Sequence, residues 1–374
     1  MAVYRTTQGT GMNDNLEARP TISDIEPYQQ GKTKLGNQTS PIKLSSNESA
    51  LGCSDAARKA FIDCQETLYR YPDDSQIELR AAIAEIHHLP VEQIVCGNGS
   101  EELIGLINRA YVREEDEVIL TENHFVMCPI YAKGQGAKVV LAAEHDDTID
   151  VDAILSAITN RTRLICIANP NNPTGTYVAD THIRKLVENV PDRILVVLDG
   201  AYAEYVEASD YDAGADYVLR FQNVVMTRTL SKIYGLAGLR IGWAYAPQAV
   251  LTNINKLRTP FNANSAAMAA ATAALRDQDF VARARSHNKD ALAMLLPAIR
   301  DMGFRVAPSV ANFYLIDLST VAGGNAENAI ALLKQQGIIP RPAAADKHLR
   351  ITVGTKQENQ AVLDVLDSYR KSLG

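Results

Sequence analysis

The order of apolar and polar positions is the clearest structural signal in the chain. From about residue 55, short apolar runs alternate with segments whose apolar positions recur at helical spacing. The apolar runs are IVCGN at 94–98, EVILT at 117–121, KVVLA at 138–142, RLICIA at 163–168, RILVVLD at 193–199 and VVMTR at 224–228. Alternation of this kind is typical of a mainly parallel sheet covered by helices, so we predict an α/β fold.

The same pattern predicts how the chain divides. Residues 1–45 are polar and interrupted by prolines, which indicates an N-terminal arm and not a domain. We expect a large domain over 46–265 and a small α+β domain over 266–374 that takes in part of the N-terminal segment. The Ala-rich stretch Ala263–Leu275 favours a helix at the hinge, and the run FYLID at 313–317 supplies a strand to the small domain.

Composition narrows the classes of partner. A net charge of -7 gives no basic surface for nucleic acid or anionic lipid. The five cysteines are scattered and form no CxxC pair, so we expect neither a disulfide scaffold nor a metal site. No apolar run approaches the ~20 residues that span a bilayer, and the start of the chain lacks a secretory pattern. We therefore expect a cytoplasmic protein that acts on small molecules.

The segment TRTLSKIYGLAGLRIGW at 227–243 is the most informative for chemistry. It surrounds Lys232 with the hydroxyls of Thr229 and Ser231 and the guanidinium of Arg240. Hydroxyls and a guanidinium are typical ligands of a phosphate, here beside a reactive amine. Taken alone, a lysine in a loop is usually a solvated charge, so the interpretation depends on the rest of the chain.

Two more polar segments follow apolar runs. The segment NPNNPTG at 169–175 comes directly after RLICIA, and RILVVLD ends at Asp199, three residues before Tyr202. Such clusters often only turn the chain or cap a helix. However, the carboxyl ends of strands in open α/β sheets are where ligands bind. Together with Lys232, these segments supply an amine, a carboxylate, hydrogen-bond donors and a phosphate site, which are the groups that a pyridoxal cofactor requires.

With these motifs in place, the sequence resembles the fold-type I aminotransferases that depend on pyridoxal phosphate, and most closely the histidinol-phosphate aminotransferase group. The resemblance runs from about Tyr28 to the C-terminus. It implies a large domain with a mainly parallel seven-stranded sheet between helices, and a smaller α+β domain. It also implies pyridoxal 5'-phosphate as the cofactor and amino transfer as the reaction.

The resemblance assigns roles around the cofactor ring. Lys232 is implied to bind the cofactor covalently and to move the proton at the substrate α-carbon. Asp199 is implied to pair with the protonated ring nitrogen, and Asn172 and Tyr202 to bond the ring oxygen. Phe125, in ENHFVM at 122–127, corresponds to the aromatic residue that stacks on the ring.

Further residues are implied to bind the cofactor phosphate. The segment GNGSEEL at 97–103 begins a helix whose free N–H groups at Ser100 and Glu101 would face an anion. Thr229, Ser231 and Arg240 would complete this site. Tyr71, in RYPD, resembles the tyrosine that reaches the phosphate from a neighbouring subunit, which implies a homodimer with shared active sites.

The substrate residues implied by the resemblance are Arg341, Arg350, Tyr28 and Asn47. The two arginines would meet the phosphate of histidinol phosphate and also the α-carboxylate of glutamate. The expected reaction therefore interconverts histidinol phosphate and imidazole acetol phosphate with glutamate and 2-oxoglutarate as the second pair, a step of histidine biosynthesis.

Several features keep alternatives open. Gly200 replaces the acidic residue usual after the ring aspartate, the segment at 47–52 lacks a common proline, and the loop 342–348 is short. A short loop leaves room for aromatic side chains, so an aromatic amino acid aminotransferase is the second hypothesis. A decarboxylase of a phosphorylated amino acid would share every cofactor residue. A transcription regulator on this fold would need a basic module that the 45-residue arm does not provide.

Overall fold

The computed structural model describes residues 18–23, 25–28, 41–343 and 347–374. Most of the predicted N-terminal arm and the centre of the loop 342–348 lie outside these residues. The described strands are β1 (Ile42–Lys43), β2 (Ile94–Gly97), β3 (Glu117–Thr121), β4 (Lys138–Ala142), β5 (Glu144–His145), β6 (Thr148–Ile149), β7 (Thr162–Ala168), β8 (Leu195–Asp199), β9 (Val224–Thr229), β10 (Gly242–Tyr245), β11 (Arg305–Val306), β12 (Phe313–Asp317), β13 (Ile338–Ile339), β14 (Arg341–Pro342) and β15 (His348–Thr352).

The α-helices of the described residues cover both faces of the main sheet and build most of the C-terminal region. They are α1 (Pro20–Ser23), α2 (Asp55–Asp63), α3 (Ile77–His87), α4 (Ser100–Tyr111), α5 (Met127–Gly134), α6 (Val151–Ser156), α7 (Asp180–Asn189), α8 (Ala215–Arg220), α9 (Gln248–Leu257), α10 (Ser265–Arg276), α11 (Gln278–Asp301), α12 (Ala326–Gln335) and α13 (Lys356–Ser372).

The main sheet confirms the predicted architecture. Within the described residues it has seven strands in the order β2-β10-β9-β8-β7-β3-β4. Strand β10 is antiparallel to both of its neighbours, and the other pairs are parallel. The six apolar runs of the sequence form the six other strands. The pattern does not predict β10, because GWAY is short and overlaps the end of the segment 227–243 that carries the chemistry.

Alternate side chains of the central strands enter two separate apolar cores. In β8, Val196 and Leu198 pack into a core with α2, α3 and α10, whereas Leu195 and Val197 pack into a core with α4, α5 and α9. Because the strand is covered on both faces, all five of its residues are buried. The sheet is thereby held between two helical layers, and its carboxyl edge is left for polar residues.

A third core lies in the C-terminal region. It packs α11, α12 and α13 around the antiparallel sheet β11-β12-β15-β14, and it includes Leu44. Strand β1 pairs in parallel with β13, which attaches the N-terminal segment to this region. Helix α11 contributes Phe280 and Val281 to a core of the main sheet and Leu295 and Ile299 to the third core. The domain boundaries 46–265 and 266–374 stay predictions.

We predict that Leu295→Ala lowers the free energy of unfolding by about 2–5 kcal/mol, because Leu295 is 0% exposed in the third core and truncation leaves a cavity. Leu219→Ala is the matched control, since Leu219 is 54% exposed. Urea unfolding followed by far-ultraviolet circular dichroism measures both variants. An equal effect of the two substitutions would contradict this account of the third core.

Candidate active site

Three parallel strands deliver polar residues to one edge of the main sheet. In the register of β7, β8 and β9, Ala168 lies opposite Asp199, and Asp199 lies opposite Thr227. The loops that follow these strands therefore leave the sheet side by side. The carboxyl edge of an open parallel sheet is where α/β proteins bind ligands.

A cavity of about 190 Å³ opens at this edge. All of the site residues predicted from the sequence line it, except Tyr71 and Arg341. The lining residues are Tyr28, Ser45, Ser46, Asn47, Ser100, Glu101, Phe125, Ala168, Asn172, Asp199, Ala201, Tyr202, Thr229, Ser231, Lys232, Arg240 and Arg350. The roles given to these residues stay predictions, but the structure brings them to one cavity.

Sequence reasoning missed Ser45, Ser46, Ala168 and Ala201. The carbonyl oxygens of Ser45 and Ser46 accept hydrogen bonds from Arg350 and Lys232, and a backbone acceptor has no side-chain signal in a sequence. Ala168 is the last residue of a strand that the pattern does predict. The one feature of the sequence that could have indicated these four residues is that they neighbour segments already assigned to the site.

Lys232 follows β9 in a tight turn, in which the backbone N–H of Gly235 bonds its carbonyl oxygen at 3.0 Å. Its Nζ donates to the carbonyl oxygen of Ser46 at 3.3 Å and lies 5.7 Å from the centre of the Tyr202 ring. Burial, and then the positive charge of Arg350, lower the pKa of Lys232 to about 8. About a tenth of this amine is therefore neutral at pH 7, and so nucleophilic or basic, which is far more than for a lysine in water.

Asp199 ends β8 with its side chain buried at 6% exposure. The hydroxyl of Thr227 donates to its Oδ1 at 3.0 Å, and the backbone N–H of Ala201 also bonds the carboxylate. Burial raises the pKa of Asp199 to about 6, although these bonds and the charges of Lys232 and Arg228 act in the opposite direction. The carboxylate is thus ionised at neutral pH at a free-energy cost that a bound cation would relieve.

The phenol of Tyr202 forms another side of the cavity. The Asn47 side chain donates from Nδ2 to the Tyr202 hydroxyl oxygen at 2.9 Å. Burial raises the pKa of Tyr202 to about 12. The phenol therefore keeps its proton and can donate a hydrogen bond to an oxygen of a bound ligand.

Arg350 and Asn172 also line the cavity. Arg350 donates from Nη1 to Oδ1 of Asn172 at 2.6 Å and from Nη2 to the carbonyl oxygen of Ser45 at 2.8 Å. Because Oδ1 of Asn172 is engaged, its amide nitrogen is left to donate elsewhere. Nε of Arg350 is buried and has no hydrogen-bond partner within the described residues. A buried, unsatisfied donor on a cation indicates a place for an anion.

The N-terminus of α4 forms an anion site at the other end of the cavity. The helix begins after Gly99, and no side chain caps it in the described part of the chain. Its first N–H groups, at Ser100 and Glu101, are therefore available to a ligand. Nη1 of Arg240 donates to Oγ of Ser231 at 3.4 Å, and Nη2 lies 3.4 Å from Oε2 of Glu101.

Two glycines make this anion site possible. A Cβ at Gly99 would lie 2.8 Å from Nη2 of Arg240. A Cβ at Gly242 would collide with the backbone nitrogen of Ser100. Strand β10 can approach the start of α4 this closely only because Gly242 has no side chain. The space that results fits a phosphate between backbone N–H groups, hydroxyls and a guanidinium.

Arg341 lies in a second cavity of about 390 Å³, which shares Tyr28, Phe125, Asn172 and Arg350 with the first. Its guanidinium carbon is 5.5 Å from the centre of the Tyr28 ring. Strands β14 and β15 place Arg341 directly opposite Arg350. Burial is the main cause that lowers the pKa of Arg350, and the charge of Arg341 adds to it. Two adjacent guanidiniums favour an anionic group in this second cavity.

Tyr71 lies outside both cavities. Its side chain is 82% exposed and stacks on Phe261 with ring centroids 4.6 Å apart. The residue does not reach the cavity of its own chain. Its predicted contact with a phosphate in a neighbouring subunit stays a prediction.

Gly200, where the sequence departs from the resemblance, has a steric explanation. A Cβ at this position would lie 2.9 Å from Cδ of Arg228. Arg228 forms a buried ion pair with Glu204, whose Oε1 is 2.8 Å from Nη2. The stem of Arg228 thus fills the space that a longer side chain at position 200 would need. Gly200 therefore affects packing behind Asp199.

Among the residues that the structure describes, no group of three His, Cys, Asp or Glu side chains is placed to hold a metal ion. No helix in the same part of the chain is both long and apolar enough to cross a membrane. The thiols of Cys128 and Cys166 are buried with their sulfurs 3.6 Å apart.

Comparisons with known proteins agree with this geometry. The family described as "Aminotransferase class I and II" matches residues 39–366. The histidinol-phosphate aminotransferase of Maricaulis maris is 44% identical over 360 residues, which cover 96% of this chain and 99% of that protein. The enzyme of the same name from Granulibacter bethesdensis is 44% identical over 358 residues, covering 95% of this chain and 96% of that protein.

The fold is also similar to solved structures. The crystal structure of histidinol-phosphate aminotransferase from Sinorhizobium meliloti in complex with pyridoxal-5'-phosphate has a TM-score of 0.88 at 25% identity. The match covers 98% of this chain and 100% of that one.

We predict that Gly242→Ala weakens binding of inorganic phosphate at the start of α4 at least about tenfold, or about 1.4 kcal/mol, because the added Cβ forces β10 away from the helix. Gly238→Ala is the matched control, since no atom lies within 4 Å of a Cβ built there. Isothermal titration calorimetry measures both. Unchanged phosphate affinity in the Gly242 variant would mean that the anion binds elsewhere.

Proposed function

The chain belongs to the class I and II aminotransferases, and on this premise we propose that it transfers an amino group between histidinol phosphate and 2-oxoglutarate. The products are imidazole acetol phosphate and glutamate, and the reaction belongs to histidine biosynthesis. The observation that carries the proposal is that two neighbouring cavities, each with an anion site, share part of their lining. The start of α4 and Arg240 line the first cavity, Arg341 lines the second and Arg350 lines both, and the charges of Arg240 and Arg350 both act on Lys232.

The cofactor is pyridoxal phosphate. The residues present fit it, because the start of α4 offers uncapped N–H groups to a phosphate and Asp199 offers a buried carboxylate to a cationic ring nitrogen. When bound, it supplies a carbonyl carbon that carries the amino group and a pyridine ring that accepts the electron pair of a broken C–H bond. Ser100, Glu101, Thr229, Ser231 and Arg240 would hold its phosphate.

Lys232 binds the cofactor and then acts as the base at the substrate. Its pKa of about 8 leaves enough neutral amine to accept the α-proton and enough protonated amine to return it. Asp199 stays ionised when it faces a cation, and it thereby holds a proton on the ring nitrogen. The hydrogen bond from Thr227 fixes the direction of this carboxylate.

Two donors orient the ring oxygen. Tyr202 keeps its proton because its pKa is about 12, and the bond from Asn47 fixes its hydroxyl. Asn172 is held by Arg350 so that its amide nitrogen is left to donate. Phe125 lines both cavities, where its ring would cover one face of the cofactor. Each group restricts tilt of the ring relative to Lys232.

The substrate anions go to the arginine end of the paired cavities. Nε of Arg350 is buried without a partner among the described residues, and Arg341 adds a second charge beside it. A phosphate is tetrahedral and a carboxylate is planar, but each presents a pair of oxygens that a guanidinium can bind with two parallel hydrogen bonds. The same pair can therefore accept histidinol phosphate in one half of the reaction and glutamate in the other.

The alternatives have less support. The curated relatives with 44% identity carry the histidinol-phosphate name, which does not favour an aromatic amino acid aminotransferase. The short loop 342–348 suggested room for an aromatic side chain of the substrate, but its residues 344–346 lie outside the described part of the chain. A decarboxylase is less consistent with the class I and II aminotransferase family.

We also propose a cytoplasmic homodimer with shared active sites. Several apolar side chains that surround Tyr71 in sequence are exposed, among them Leu68 at 70%, Tyr69 at 77% and Ile77 at 64%. Phe61, Ile62 and Phe261 are also at the surface. Apolar exposure of this extent is typical of a subunit interface. A second copy packed on it would cover Tyr71, whose hydroxyl could then reach the phosphate of that copy.

We expect kcat/KM for histidinol phosphate to exceed that for phenylalanine at least about tenfold, because a hydrogen bond to a charged group contributes about 1.5–3 kcal/mol. Both are measured with 2-oxoglutarate as the amino acceptor. Arg341→Gln should lower the value for histidinol phosphate more than the value for phenylalanine. Faster use of phenylalanine would favour the aromatic enzyme, and release of carbon dioxide from an amino acid would favour the decarboxylase.

Mixing Tyr71→Ala with Lys232→Ala should restore activity that neither variant has alone. A hybrid dimer contains one site with both an intact Lys232 and a Tyr71 from its partner. Random pairing of equal amounts gives half hybrids with one complete site each, or about a quarter of wild-type activity. Activity no higher than the mean of the separate variants would mean that Tyr71 does not act across subunits.

A further inference from the structure

The hairpin formed by β5 and β6 lies between two loops that reach the cavity. One loop, residues 122–126, follows β3 and carries Phe125. The other, residues 169–175, follows β7 and carries Asn172. Glu144, the first residue of the hairpin, lines neither cavity, but its carboxylate accepts hydrogen bonds from both loops.

Glu144 binds the first loop through Asn123. Its Oε1 accepts from the backbone N–H of Asn123 at 3.1 Å, and its Oε2 accepts from Nδ2 of the same residue at 2.8 Å. The carbonyl oxygen of Asn123 accepts from the hydroxyl of Thr121 at 2.8 Å. Both the backbone N–H and the carbonyl oxygen of Asn123 are thereby hydrogen-bonded, two residues before Phe125.

Glu144 also binds the second loop, through Asn171. Nδ2 of Asn171 donates to the carbonyl oxygen of Asn123 at 2.8 Å and to Oε1 of Glu144 at 3.4 Å. Asn171 is 1% exposed and directly precedes Asn172, whose Oδ1 is bonded to Arg350. One carboxylate therefore links the residue before Asn172 to the loop that presents Phe125.

Burial of the Glu144 carboxylate costs free energy, which its hydrogen bonds must offset. Burial is the main cause that raises the pKa of Glu144, while the bonds from Asn123 oppose that rise. The nearby Asp147 is committed to other contacts, since its carboxylate pairs with Arg305 at 2.5 Å and its carbonyl oxygen accepts from Thr176 at 2.6 Å. The donors to the Glu144 carboxylate from outside its hairpin belong, within the described residues, to the two loops and to Thr121 at the end of β3.

We propose that Glu144 is a positioning residue, which sets the distance and tilt between the ring of Phe125 and the amide of Asn172. The proposal rests on the proposed function for the identity of the ring that these two groups hold. It does not depend on which amino acid is the substrate.

The test compares two substitutions in one hairpin. Glu144→Gln keeps the shape of the side chain, but it removes the charge and replaces one of the two acceptor oxygens with an NH₂ group, which then faces a donor of Asn123 or Asn171. Asp146→Asn is the matched control, because it removes a negative charge from the same hairpin at a side chain that is 86% exposed. Asn also tolerates the positive φ of 49° at that position.

Three readouts separate positioning from folding. Visible circular dichroism of the bound cofactor reports how the ring is held, and hydrogen exchange of the full chain without cofactor reports the two loops. Steady-state kinetics then separates kcat from KM. For Glu144→Gln we expect weaker visible dichroism, faster exchange at 122–126 and 169–175, and kcat lowered at least about tenfold with KM changed less. For Asp146→Asn we expect wild-type values.

Wild-type dichroism and exchange in the Glu144→Gln protein would overturn the proposal. If that protein does not fold, Asn171→Ala removes only the bridge between the loops, and it should show the same loss of dichroism. A wild-type protein that folds and binds pyridoxal phosphate but does not transfer amino groups would refute the proposed function instead, since dichroism and exchange are measured without substrate.

Discussion

The structure depends on keeping two opposite charges apart inside one buried cavity. Burial raises the pKa of Asp199, so its carboxylate is harder to ionise here than in water. Burial lowers the pKa of Lys232, so its amine is harder to protonate here than in water. Neither group is neutralised by a direct bond to the other among the described contacts. A cationic pyridine ring between them would satisfy the carboxylate and leave the amine free to move a proton. The cost of burying these groups is therefore the source of their reactivity.

The rest of the chain supports this pair. The parallel register of β7, β8 and β9 brings Asn172, Asp199 and Lys232 to one edge, and Gly242 lets β10 approach the start of α4. Under the proposed function, an anion held by that helix would fix one end of the ligand, and Arg341 and Arg350 would attract an anion of the substrate. Two separate anion sites would suit a cofactor and a substrate that each carry a phosphate.

Much of this could be predicted from the sequence, because the signals are local. The strand runs before Asn172, Asp199 and Lys232 are apolar and short, and each ends at, or is directly followed by, a polar residue at the edge of the sheet. The backbone carbonyls of Ser45 and Ser46 could not be predicted, because any residue type presents the same acceptor. The bridge from Glu144 to Asn123 and Asn171 was also missed, because its partners are 21 and 27 residues away and no spacing rule relates them. Gly200 was noted as a departure, and only the packing of Arg228 explains it.

Reduction of the protein with borohydride in the presence of pyridoxal phosphate tests the central claim most directly, because it fixes the cofactor to the amine that holds it. Peptide mapping by mass spectrometry should then find the phosphopyridoxyl group on Lys232, with the other lysines unlabelled. Label on a different lysine, or no stable label, would contradict the account.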